Sequence, residues 1–126
     1  MPHTPAADAV IKKTDGTLTH PAMGQPQVQN YLIKLVNANS HASFKQALND
    51  VFNGKGKSTG NYQQDNLPVF HASSGDGQQS VTLFYLMAGT LATIFAMGEH
   101  VAGNSYKVTY YGQPTGSFVT GAKITL

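Results

Sequence analysis

The chain has 126 residues, 40% hydrophobic and only 11% charged, with a net charge of +2. That length and apolar content suit one domain with a buried core and argue against intrinsic disorder, which needs low hydrophobicity and high net charge. Eight lysines without a single arginine speak against sequence-specific DNA binding, and the lack of cysteine excludes disulfides, thiolate metal sites and cysteine nucleophiles.

Residues 1–24 are rich in Pro, Thr, Ala and Gly and are expected to bury little, as a flexible segment or a small hairpin. In the hairpin reading Asp15-Gly16 makes a type I′ turn between 9–13 and 17–19. No basic stretch followed by an apolar run follows Met1, and a cytoplasmic location is expected. Residues 25–126 then form the single domain.

Two helices come next. Val28, Tyr31, Leu32, Leu35 and Val36 recur at i, i+3, i+4, i+7 and i+8, which paints one apolar stripe on a helix of period ~3.6. Pro26 fits its first turn, where a missing N–H costs nothing. Phe44, Ala47, Leu48, Val51 and Phe52 repeat the spacing. Asn39 or Ser40 can cap this second helix, and Asn53-Gly54 can end it. The short connection Asn37-Ala38-Asn39-Ser40 predicts a helical hairpin with both stripes on one surface. Buried Tyr31, Leu32, Leu35, Leu48, Val51 and Phe52 are expected to form its core face.

The polar stretch 53–61 reads as a linker. Gly56-Lys57-Ser58 falls short of a phosphate-binding loop, because Val51 stands where the first glycine belongs and a helix precedes it. Beyond it the period changes to 2. Strands are expected at 67–73, 81–88, 91–97, 105–111 and 117–126, with turns at Ser74-Gly75-Asp76-Gly77, Gly89-Thr90, Gly98 to Asn104 and 112–116. Residues 77–98 carry no charge, yet Gly89-Thr90 at the middle favours a buried hairpin over a membrane span, and no lysine cluster flanks the ends.

Helices first and consecutive strands afterwards predict an α+β fold, an N-terminal helical hairpin packed on one face of a four- to five-stranded antiparallel sheet. The other face would draw on Thr82, Tyr85, Thr93, Lys107, Thr109, Tyr111 and Lys123.

Five histidines are the candidates for chemistry. His3, His20 and His41 read as exposed polar residues, and no pair has the spacing of a helical zinc site. No metal and no cofactor is expected. His71 lies in a strand and Glu99-His100 at a glycine-marked turn. Brought together, His71 and His100 would serve as general base and acid, with Lys107 or Lys123 on the developing charge. That is the equipment of a metal-independent endoribonuclease. The helix-then-antiparallel-sheet plan resembles small microbial ribonucleases and related toxin domains, in architecture only and without a family motif. RNA is a partner under that alternative alone.

Tyr106, Tyr110 and Tyr111 cluster in the sheet half and are the candidate binding residues, since tyrosine with little charge nearby favours protein interfaces and small-molecule pockets. A nearly charge-free sheet edge also invites pairing between subunits. The leading expectation is a non-enzymatic protein- or ligand-binding module with a protein partner or a homodimer.

Overall fold

The computed structural model describes residues 3–12, 18, 22–36, 38–64, 67–75, 81–102, 105–109 and 115–119. Its elements are β1 (Asp8–Ile11), α1 (Gln25–Leu32), α2 (His41–Phe52), β2 (Lys57–Gln64), β3 (Leu67–Ser74), β4 (Val81–Ala88), β5 (Leu91–Ala102), β6 (Ser105–Thr109) and β7 (Thr115–Val119). Short 3-10 turns at Ile33–Leu35 and Ala38–Ser40 lie between the helices. The fold is α+β.

Helix α1 starts as its sequence predicts. Pro26 lies in the first turn, and the Gly24 N–H donates to Gln27 Oε1 at 3.0 Å. It stops at Leu32, earlier than the expected stripe. Val28 and Leu32 are fully buried, but Tyr31 is 37% exposed, which corrects its place in the core. A short helix turns one narrow face inward, and Tyr31 sits about 100° round from Leu32.

The stripe of α2 holds: Phe44, Ala47, Leu48 and Val51 are all fully buried, with Phe52 half-buried. Ser40 stands at the N-cap position but makes no capping bond. The C-terminus closes as a Schellman motif, with Gly54 N–H on the Val51 carbonyl at 3.3 Å and Lys55 N–H on the Asp50 carbonyl at 2.8 Å. Gly54 takes φ +73°, the left-handed conformation that the motif demands.

The sheet has seven strands in the order β2-β3-β4-β5-β6-β7, with β1 parallel to β5 and every other pairing antiparallel. This corrects the expected four- to five-stranded antiparallel sheet, because two strands lay in segments read otherwise. β1 comes from the N-terminal stretch, where Ala6, Ala9, Val10 and Ile11 are all buried rather than loose. β2 comes from the supposed linker and its continuation.

Long β5 explains how β1 fits. One edge of β5 pairs with β4, and the other is shared end to end: β1 takes Leu91 to Ile94, and β6 takes Met97 onward. Gly98 pairs with both Thr82 and Val108, so it is a ladder position and not the expected turn. Glu99 and His100 therefore lie inside β5. β4 and β5 meet at Gly89-Thr90, with Gly89 at φ +61°, as a two-residue turn requires. The charge-free segment is thus an antiparallel hairpin, and among the described residues no helix is long and apolar enough to cross a membrane.

Core packing occurs on both faces. Toward the helices, Ala72, Val81, Leu83, Tyr85, Ala92, Ile94 and Met97 join Ile11, Val28, Leu32, Phe44, Leu48 and Val51. Val69, Phe84, Leu86, Phe95 and Ala96 form a second cluster. Phe84 pairs with Ala96 but Tyr85 with Ile94, which leaves Phe95 as the extra residue of a bulge. That bulge lets adjacent Phe95 and Ala96 serve one cluster, so parity could not be counted through the strand.

Candidate functional site

Tyr85 is one of the residues from which the face away from the helices could have drawn. It lies on the helix-covered face, fully buried, and His3 reaches it from the N-terminal segment. Tyr85 Oη lies 2.5 Å from His3 Nε2, and His3 Nδ1 lies 2.8 Å from the Thr4 carbonyl oxygen. A carbonyl only accepts, so Nδ1 carries the proton, and Nε2 is left to accept from the Tyr85 hydroxyl. The His3 ring centroid sits 5.0 Å from that of Phe70 and 5.4 Å from that of Tyr85. His3 is therefore half-buried in an aromatic cluster, which corrects its reading as an exposed residue.

Local sequence makes room for this clasp. A side chain at Gly56 would run into the Tyr85 hydroxyl and ring. A Cβ at Gly54 would approach the His3 carbonyl oxygen to 2.5 Å. The two glycines thus let the loop after α2 lie against both partners. At the other end of the segment, Ala7 N–H donates to the Thr90 carbonyl at 2.8 Å, leading into β1. Burial pushes the Tyr85 phenol well above its ordinary range, and the charge of Asp50 adds to the shift. The protonated phenol is the donor to His3 Nε2. The pair fastens the chain.

The histidines singled out for catalysis stand apart. His71 in β3 lies opposite Lys57 and Phe84. Desolvation by burial pulls its imidazole below 6.5, with the Lys57 charge pulling the same way. His100 in β5 lies opposite Tyr106. Phe84 pairs with Ala96, so His100 is two strands across from His71 and four residues further along. Those offsets put their backbones on the order of 15 Å apart at ~4.8 Å per strand and ~3.3 Å per residue. Lys107 stands opposite Glu99. The ladder does not gather His71, His100 and Lys107 into one site.

His41 is half-buried, its Nε2 3.0 Å from the Val36 carbonyl, and so it ties the helix connection. Among the described residues no three His, Asp or Glu side chains group to hold a metal ion. His20, Tyr110, Tyr111 and Lys123 lie outside the described residues.

Tyr106 belongs to β6, where it pairs with Phe118 of β7 as well as with His100. β7 ends the strand order. Its sequence Thr115-Gly116-Ser117-Phe118-Val119 has no charge and no proline, and all five residues pair with β6 without a register shift. The opposite end of the sheet differs. Between Ser58↔Phe70 and Gln63↔Pro68, residues 59–62 of β2 stand against Val69 alone. Such a bulge twists an edge away from further pairing. Met23 bridges Ala9 of β1, and Leu18 bridges Lys12 just past its end. Among the described residues, β7 is the regular open edge.

Compared with family models, with curated proteins and with solved structures, the chain finds no match.

Proposed function

We propose that this chain is a non-enzymatic protein-binding module that engages its partner along the β6–β7 end of the sheet, with Tyr106, Tyr110 and Tyr111 as the contacting tyrosines. One observation carries the reading: the strand order ends on β7, an uncharged, regular strand beside a tyrosine-bearing one. An open edge of that kind offers a row of backbone donors and acceptors to an incoming strand. Tyrosine adds large contact area at low entropic cost, which is why it is enriched in interface cores. The cysteine-free composition is consistent with a cytoplasmic setting for this binding.

Crosslinking in cell extract tests the reading. The wild type should give crosslinked protein species that a Tyr106→Ala/Tyr110→Ala/Tyr111→Ala variant loses. A Lys45→Ala variant on the exposed side of α2 should keep them. The competing ribonuclease would instead cleave RNA between about pH 5 and 8, without metal, and lose about 10²–10⁴-fold on His71→Ala or His100→Ala. Such turnover would replace the binding reading.

A further inference from the structure

The β7 edge is self-complementary. An antiparallel pair formed by two copies of one strand has a two-fold axis, and the only register that keeps all five residues of β7 paired puts Ser117 on it. Thr115 then stands opposite Val119 of the other copy, and Gly116 opposite Phe118. No position sets like charges against each other, since the strand has none. Two β-branched residues meet, a small residue meets itself, and the one residue without a side chain meets the one aromatic residue. Each combination suits a cross-strand pair, and aromatic opposite glycine is the combination that rescues glycine in a strand.

From this register we propose that the partner of the β6–β7 edge is a second copy of the chain, joined by antiparallel β7–β7 pairing about Ser117. The proposal rests on the binding reading above and names its occupant. The two sheets become one continuous sheet across the axis. The other sheet end cannot offer the same arrangement, because the bulge at residues 59–62 interrupts β2. Association is weak. A five-residue strand is only about 17 Å long, so the contact falls short of the ~1,200 Å² where stable interfaces begin. The dissociation constant is expected in the micromolar range or above.

Absence of cysteine gives a clean background for the test. In Ser117→Cys the two thiols sit in the axial pair, whose Cα atoms lie about 4.5–5.5 Å apart in either kind of antiparallel pair, within disulfide range. Mild oxidation should give a covalent dimer of twice 13.4 kDa, whereas Lys45→Cys on α2 should give little. In sedimentation up to submillimolar concentration, the wild type should approach the dimer mass, and Ser117→Lys should raise the dissociation constant at least tenfold. Unchanged circular dichroism and thermal midpoint would show that Ser117→Lys still folds. If it does not fold, the cysteine pair decides.

A wild type that stays at one chain, with no Ser117→Cys dimer above the Lys45→Cys control, overturns the inference. So does a dimer indifferent to Ser117→Lys, since another surface then makes it. If either occurs while the tyrosine variant still loses its crosslinked species in extract, the binding reading survives with a different partner. If those species are also unaffected, both fall.

Discussion

Gly56→Ala should break the clasp between the N-terminal segment and the sheet. The added methyl would collide with the Tyr85 hydroxyl, come within 2.8 Å of its ring carbon Cζ and within 3.2 Å of His3 Nε2. Tyr85 is fully buried and its ring stacks 5.9 Å from that of Phe70, so it cannot swing away cheaply. Overpacking of this sort costs about 1–3 kcal/mol. Displacing the hydroxyl from His3 leaves a buried donor unpaired, for about 1–3 kcal/mol more. A loss of about 2–6 kcal/mol follows, or roughly 3–6 °C of thermal midpoint per kcal/mol in a chain of this length. Tyr85→Phe alone should cost only about 0.5–1.5 kcal/mol, because water can reach half-buried His3 in place of the hydroxyl.

The double variant separates this account from general intolerance at position 56. With phenylalanine at 85 the hydroxyl collision is gone, and no hydroxyl remains to be orphaned. The ring carbon contact persists, so rescue is partial. The combined loss should fall short of the sum of the two single losses by about 1–2 kcal/mol. Urea unfolding of the four proteins measures all three quantities. Strict additivity, or a Gly56→Ala loss under about half a kcal/mol, would refute the geometry of the clasp.

Other expectations follow from burial and charge. Leu48→Ala should cost about 2–5 kcal/mol by urea unfolding, whereas Tyr31→Ala on the exposed side of α1 should cost under about 0.5 kcal/mol. Ile11→Ala in β1 should cost about 2–4 kcal/mol in the same single transition, showing that the N-terminal strand unfolds with the core rather than before it. Because the fold holds the His71 imidazole neutral below 6.5, the unfolded chain binds more protons as pH falls through 6.5, and stability should drop there while staying flat above. His71→Gln should flatten that slope, and Lys57→Gln should raise the His71 titration midpoint measured by NMR.

The pattern of α2 and the apolar run of β4 were legible in the sequence, whereas the stripe read for α1 ran past the end of the helix and took in exposed Tyr31. The α2 stripe lies fully buried at Phe44, Ala47, Leu48 and Val51, and 81–88 is β4 to the residue. Sequence reading failed where pairing from elsewhere decides. β1 owes its place to the part of β5 that β6 leaves open, an arrangement more than eighty positions away in the chain. Polar β2 gains strand geometry by lying along β3, against the tendency of Gly60 and Asn61 to break it. Gly98 carried a turn signal that two neighbouring strands overrode.

The same asymmetry governs the sites. His3 and Tyr85 are 82 positions apart, and their contact depends on which face of β4 meets the helices. Parity of that strand is invisible in its composition, since Leu83 and Phe84 are both fully buried on opposite sides. The nearest signal was Gly54-Lys55-Gly56, whose glycines resemble loop punctuation but make space for the ring and the segment above it. A last strand was expected at 117–126 after a turn at 112–116, but β7 begins at Thr115, and its position at the end of the strand order could not be read from its residues. What distinguishes the two sheet ends is the register against their single neighbours, regular along β6 and broken along β3. An edge is available for pairing only when its backbone groups keep a constant spacing, so register, more than composition, leaves β7 the regular edge among the described residues and β2 a blunted one.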